Sequence, residues 1–410
     1  MMKRIREILR NWLGVNDTFQ NEMPMKSETF RKVDVSISSG LEDFLKTNYE
    51  FRYNVLTEQA EVRRRSHPAD GFRAVSQRVA NTLCLEARDE GINCWDKDVM
   101  RLLNSERMPD YHPFLSYMEN LPCWDGVDRV TPLAERVSKE KCWVDGFHKW
   151  MLGVAAQWSG RMDGCANAVA PLLVSPRQGM RKSTFCQLLM PESLRGHYTD
   201  SYDLNAQGSC EQKLALFGLI NLDEFDKLSP RKQPLLKNLM QMTELHYRKA
   251  HRVQYSHLPR MASFIGTSNR KDLLTDPTGS RRFLCVEVTE KLDCTPLEHK
   301  QLFSQLKTEL DSGKRYWFTS EEEKELMEHN HPYSVLPPLH DVFLRCYRLP
   351  KEGEEYELQA PGEMFGKLAK DCPKEMRSMN LNRFGRMLVS MGVERVHTVE
   401  GNKYKVVTVA

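Results

Sequence analysis

The chain has 410 residues, 40% hydrophobic and 28% charged, and its 59 lysines and arginines nearly balance 56 acids to leave a net charge of +3. That length points to two or three domains. The composition is that of a folded soluble protein, and no apolar run is long enough to cross a bilayer as a helix. A charge so close to balance gives no global sign of nucleic-acid binding, so any such sign must come from local clusters.

The N-terminus, MMKRIREILRNWLGVN, reads as an amphipathic helix with Ile5, Ile8, Leu9 and Trp12 on one face. It lacks the apolar core and cleavage site of a signal peptide. The expectation is an arm that packs on the body or on a neighbouring subunit, with membrane-surface binding as the alternative. Residues 1–130 read as mainly helical, a possible oligomerisation collar, with a helix and then a short hairpin over 40–65. Helical periodicity over 71–105 rests on Phe72, Val75, Val79, Leu83 and Leu85. Pro109, Pro113 and Pro122 then break the chain in an aromatic connector that ends in LPCWDGVDRV, which sets a boundary near 130. The eleven cysteines include no CxxC pair and no zinc spacing. Reduced thiols in a cytoplasmic protein without a structural metal are the simplest reading.

From 131 to 335 the pattern changes. After a helix over 133–160, short apolar runs at 168–174, 216–222, 261–267 and 283–288 alternate with helical stretches. Fully apolar strands between helices indicate a buried parallel sheet and an α/β nucleotide-binding layout. LPPLHD at 336–341 marks a second linker, and the tail, 336–410, reads as short helices followed by two alternating strands around EGNK. That is the order of a winged-helix-like module.

PRQGMRKST (176–184) follows the first apolar strand and opens a helix. A phosphate-binding loop needs inward N–H groups, a lysine over the β/γ-phosphates and a hydroxyl on Mg²⁺. Gln178, Gly179, Met180, Arg181, Lys182, Ser183 and Thr184 are therefore the candidate ATP-binding residues, with Ser183 on the metal. The pattern GxxxxGK[ST] has glycine where this chain has Pro176 and Arg181, and a side chain at 181 restricts how the backbone bends. In isolation a basic helix start explains the stretch equally well. LFGLINLDEFD (216–226) supplies context as an apolar strand ending in acids: Asp223 would hold Mg²⁺ through its water shell, and Glu224 would polarise the attacking water. SFIGTSN (263–269) ends a third strand in Asn269, a candidate γ-phosphate sensor. In DPTGSRRFLCVEV (276–288), Arg281 or Arg282 could be offered to a neighbour's γ-phosphate.

LHYRKAHRVQYSHLPR (245–260) alternates as a hairpin and mixes Tyr247 and Tyr255 with Arg248, Lys249, His251 and Arg252. Basic groups neutralise phosphates and aromatic rings stack on bases, although a plain charged surface hairpin shows the same pattern. In the tail, Ser378 or Asn380 could begin a helix carrying Arg383 and Arg386, followed by a basic wing of Arg395, His397, Lys403 and Lys405. Duplex DNA or a protein would suit such a module.

The order of KST loop, LDE strand, basic hairpin, PR before the next strand, GTSN and LTDPTGSRRF resembles the virulence-associated E family over about 105–290, and the WDG connector is similar to that family's as well. Those proteins look like superfamily-3 helicases within the AAA+ group of P-loop NTPases. The resemblance implies an ATP- and Mg²⁺-dependent ring, often a hexamer, that acts on DNA in the replication of phages and mobile elements. It puts ATP on Lys182 and Ser183, metal and hydrolysis on Asp223 and Glu224, sensing on Asn269 and the trans arginine on Arg281 or Arg282. Related proteins can carry a primase domain upstream. Residues 1–130 hold no paired-acid primase site, so the helicase part alone is expected, with a primase or other replication protein as a possible partner. A nucleotide-gated assembly factor and a monomeric P-loop enzyme are the competing readings.

Overall fold

The structure is a computed structural model that describes residues 39–409, apart from 163, 205–208, 230–231, 249–254, 275–276, 335–337, 352, 377–378 and 400. The amphipathic arm therefore lies outside the described residues. A helix over 39–48 (α1) runs into the antiparallel hairpin β1 (Tyr49–Asn54) and β2 (Gln59–Arg64). With β3 (Arg73–Ala74) and β4 (Asp110–Tyr111) these strands make a four-stranded sheet in the order β3-β2-β1-β4. Helices α2 (Gln77–Asp89) and α3 (Asp96–Leu103) join this layer, and Leu83, Cys84, Val99 and Leu103 share a core with Leu45, Tyr49 and Val62. The helix and hairpin expected over 40–65 are both present, within a layer that mixes helices with a sheet. Two of its strands are only two residues long, too short for an alternating pattern to register.

The connector carries α4 (Pro113–Glu119) and α5 (Val130–Glu135). It lies along α10 (His299–Asp311), whose polar side chains hold its main chain. Gln301 accepts the Asp125 N–H at 3.1 Å, Gln305 accepts that of Arg129 at 2.8 Å, and Ser304 donates to the Pro122 carbonyl at 2.7 Å. Asp125 and Arg129 form a two-pronged ion pair at 2.7 and 2.6 Å.

Helix α6 (Lys141–Trp158) leads into a five-stranded sheet of β5 (Ala170–Val174), β6 (Tyr198–Thr199), β7 (Leu219–Leu222), β10 (Ser263–Ser268) and β11 (Phe283–Glu287). Their order is β11-β5-β10-β7-β6, and every pairing is parallel. The molecule is therefore mixed α/β with a central parallel sheet. β5, β7 and β10 are buried along their whole length, which is why they read as largely apolar runs, with Asn221 the polar residue of β7 and Ser263, Thr267 and Ser268 those of β10. A Cβ at Gly266 would stand 2.7 Å from Leu172 and 3.1 Å from the Leu222 carbonyl, so β10 fits between its neighbours only with glycine there. One core cluster joins Trp143, Phe147, Trp150 and Trp158 of α6 to Phe185, Phe303 and the sheet, and the Trp158 and Phe303 rings stack at 4.8 Å.

Helices α7 (Lys182–Leu188), α8 (Ser209–Leu216) and α9 (Gln233–Gln241) follow β5, β6 and β7. The hairpin β8 (Glu244–Arg248) and β9 (Tyr255–Pro259) stands between α9 and β10. After α10 come α11 (Ser320–His329) and α12 (Pro338–Cys346). The tail adds β12 (Tyr347–Arg348), β13 (Glu357–Gln359), α13 (Pro361–Asp371), α14 (Pro373–Met376) and α15 (Leu381–Ser390). Strand β14 (Arg395–Thr398) then pairs with the long β15 (Gly401–Thr408), which also takes β12 and β13. No helix among the described residues is long and apolar enough to cross a membrane.

Candidate nucleotide site and nucleic-acid elements

In an open α/β sheet the ligand site forms beyond the carboxyl ends of the strands. The loop 175–181 leaves β5 at that end. Gln178, Gly179 and Arg181 are exposed along it, while Met180 is 8% exposed, and its carbonyl accepts the Leu292 N–H at 3.1 Å. Met180 therefore anchors the loop, and its share in any ligand is confined to the main chain. Gly179 and Arg181 both take left-handed backbone, at φ +75° and +61°. The bend that the sequence reading doubted at Arg181 is made all the same, with arginine in a conformation that glycine adopts freely.

Lys182 opens α7 and is 8% exposed. Its Nζ donates to the Ser175 carbonyl at 3.1 Å and to Asn269 Oδ1 at 2.9 Å. Burial pulls the ammonium below the usual lysine range, and the charges of Asp223 and Asp226 oppose the shift. Ser183 donates to Asp223 Oδ1 at 2.9 Å, while Thr184 is exposed on the same turn. Lys182 and Ser183 follow β5, Asp223 follows β7, and Asn269 follows β10, the strand between those two. The structure thus brings four of the sequence candidates together from three chain segments.

Glu224 is left-handed too, at φ +52°, and its carboxylate pairs with Lys227 at 2.6 Å. Two residues without a role in the sequence reading tie the segment after β7 to the end of β10. Thr267 donates to Asp223 Oδ1 at 2.6 Å and accepts the Glu224 N–H at 3.3 Å. Asp226 accepts from the Ser268 hydroxyl at 3.0 Å and from the Asn269 N–H at 3.2 Å. Both lie inside the GTSN and LDEFD stretches, but their roles appear only once β7 and β10 lie side by side.

Arg281 and Arg282 sit elsewhere. They precede β11, whose Phe283 pairs with Ala170 and whose Glu287 pairs with Val174 at the end where the loop begins. A five-residue strand spans roughly 17 Å, so the pair stands about that far from its own loop, at the opposite end of the strands. Arg281 pairs with Glu323 of α11 at 2.7 Å. Buried Asn330 fixes the turn, donating to the Ser280 carbonyl at 2.8 Å and the Phe283 carbonyl at 2.6 Å and accepting the Cys285 N–H at 3.1 Å.

The expected hairpin is present, with Arg248 opposite Tyr255 and Tyr247 opposite Ser256. Lys249, His251 and Arg252 lie outside the described residues. In the tail, Asn380 caps α15 by accepting the Arg383 N–H at 2.9 Å, while Ser378 lies outside the described residues. Phe384, Met387 and Leu388 face inward, and Arg383 and Arg386 are exposed on the other side. Of the wing residues, Arg395 is exposed and Lys405 is paired to Glu394 at 2.6 Å.

The arrangement defines an α/β protein in which a buried lysine, a hydroxyl and a carboxylate meet at the strand ends of a parallel sheet. The model of the virulence-associated protein E-like domain matches residues 118–335, more than half of the chain, and the chain belongs to that family. A second model, a domain of unknown function (DUF3874) described from a B. theta gene, matches residues 336–406. Among solved structures, the chain is similar to the apo structure of the NrS-1 C terminal region (305–718), at 12% identity over 91% of this chain and 99% of that one, with a TM-score of 0.45. An A form apo structure of the same region aligns at 13% identity over 91% and 100%, with a TM-score of 0.44. No curated protein matches the chain.

Proposed function

We propose that this protein is a P-loop ATPase of the AAA+, superfamily-3 helicase-like type, an ATP-dependent DNA motor that serves replication of a phage or mobile element. The meeting of Lys182, Ser183, Asp223 and Asn269 at the ends of β5, β7 and β10 carries this reading. A serine hydroxyl hydrogen-bonded to a carboxylate is an oxygen donor set suited to Mg²⁺, with Asp223 acting through water. Bound there, the ion would neutralise charge on the β- and γ-phosphates. Lys182 would exchange its carbonyl and amide partners for phosphate oxygens. Glu224 would orient the attacking water, and Asn269, tied to both Lys182 and Asp226, would report on the γ-phosphate.

The placement of Arg281 and Arg282 at the end of the strands away from their own loop supports their use by a neighbouring copy, and hence a closed ring such as a hexamer. Single-stranded DNA would run past the β8–β9 hairpins in the ring's pore. The tail would act as a winged-helix-like module with α15, through Arg383 and Arg386, as the helix that meets duplex DNA. A primase or other replication protein is the expected partner.

ATP turnover should rise with single-stranded DNA, and Lys182→Ala should lower it by about 100-fold or more. Tight ATP binding without turnover in the wild-type protein would instead favour a nucleotide-gated DNA-binding or assembly factor.

A further inference from the structure

Arg260 is a buried charge that the proposed ATPase chemistry does not use. Its side chain is 0% exposed. Nε donates to the Ala262 carbonyl at 2.7 Å and Nη2 to the Asn167 carbonyl at 3.1 Å. Nη1 reaches the Leu239 and Met242 carbonyls at 3.4 Å each, and that of Met240. All of these partners are backbone carbonyls. Three of them belong to the last turn of α9 and the residue that ends it, where the helix dipole favours a cation. The guanidinium also lies over the Phe264 ring at 5.3 Å, and burial pulls it down to about 9, so it stays charged at neutral pH.

A buried charge carries a desolvation cost, offset here by the carbonyls it satisfies, which an apolar side chain of similar volume would leave unpaired. The planar fork also supplies geometry, because its fixed N–H directions hold several chain segments in one arrangement. The segments held here are the end of α9, the start of β10 and the loop before β5. The Arg260 N–H also donates to the Thr243 carbonyl at 3.0 Å, which ties together the two feet of the β8–β9 hairpin. Gln157 of α6 secures the same point by donating to the Arg260 and Ala262 carbonyls at 3.2 and 3.1 Å.

Each foot of the hairpin runs directly to the nucleotide site. Upstream, α9 leads back to Asp223, Glu224 and Asp226. Downstream, the fully buried β10 leads to Thr267 and Asn269. The hairpin thus stands at the middle of a chain segment whose two ends carry the acids and the sensor.

We propose that Arg260 is a positioning residue that locks the hairpin to the α9–β10 frame, so that nucleic acid held by the hairpin and nucleotide held at the strand ends act on each other. The role of the hairpin as a nucleic-acid contact rests on the motor reading; the joint itself does not. Lysine keeps the charge but lacks the fork, and methionine keeps the bulk but lacks both.

The test uses full-length Arg260→Lys and Arg260→Met. Hydrolysis is measured with and without oligo-dT, and amide hydrogen exchange is measured over 244–259. We expect basal turnover within about twofold of wild type. Stimulation by oligo-dT should fall about fivefold or more, the lower end of ordinary coupling between sites. Hairpin amides should exchange faster while those of β5 and α7 stay protected. Equal loss of basal and stimulated turnover, or full stimulation in Arg260→Lys, overturns the proposal. If Arg260→Met does not fold, Arg260→Lys decides. If the wild-type protein hydrolyses no ATP, the motor reading has failed, and exchange still reads the joint: looser hairpin amides in Arg260→Lys support it, and unchanged ones overturn it.

Discussion

Arg181 holds its Cβ close to the following carbonyl, the crowding that makes left-handed backbone cost an L-residue about 1–2 kcal/mol. Replacing it with glycine relieves that strain, whereas alanine keeps the Cβ and loses only the side chain beyond it. Arg181→Gly should therefore be more stable than Arg181→Ala by about 1 kcal/mol, the reverse of their order in a right-handed helix. Denaturant unfolding of the two variants measures this directly, and alanine being the more stable would show that the turn is not left-handed in solution. At this scale the sequence revealed the residues whose chemistry is recognisable on its own, namely Lys182, Ser183, Asp223 and Asn269. It did not reveal the roles of Thr267, Asp226 or Asn330, and it showed Arg260 only as the arginine of the PR before β10, with no role attached. Each of the four is tied to partners tens of residues away that its own neighbourhood in the sequence does not mark.

Helix α4 shows how one cap links an element to pH. His112 accepts the Leu115 N–H on Nδ1 at 3.3 Å, which requires the ring to be neutral at that nitrogen. Burial, reinforced by nearby His197, pushes His112 down to about 3 from an ordinary 6.5, and burial lowers His197 as well. The unfolded chain therefore binds more protons than the folded one below about pH 6.5. Stability is fully present above that pH and is lost as pH falls towards the folded value. At pH 5 the loss from His112 alone is about 2 kcal/mol. His112→Asn keeps a capping side chain but cannot titrate. It should flatten the dependence of unfolding free energy between pH 5 and 7, leaving the part due to His197; an unchanged slope would remove His112 from the account. Elements differed in how well the sequence disclosed them. Long buried strands such as β5 and β10 stood out as apolar runs, as did the β8–β9 hairpin through its alternation. The two-residue β3, β4 and β6 left no pattern, so the N-terminal sheet was legible only as its β1–β2 hairpin.

For the whole molecule, the proposed ring turns the separation of Arg281 and Arg282 from their own strand-end site into a prediction about assembly. A Lys182→Ala protein retains both arginines, and an Arg281→Ala/Arg282→Ala protein retains the lysine. Each alone should be inactive. Mixed before assembly in equal amounts, they should recover turnover at about a quarter of the interfaces, those at which an intact loop meets intact arginines. No recovery, with both proteins assembled normally, would mean that the arginines do not serve a neighbour. The connector carries a consequence of another kind. The Asp125 N–H and its acceptor Gln301 are 176 residues apart in sequence, so at ordinary rates of translation α10 leaves the ribosome about 10–35 s after the segment it will hold. For most of that interval only β5, β6, β7 and β10 of the central sheet can pair, and β11 joins them just ahead of α10, while the aromatic connector waits without its rail. A chaperone that shields nascent apolar chain would find its longest opportunity there.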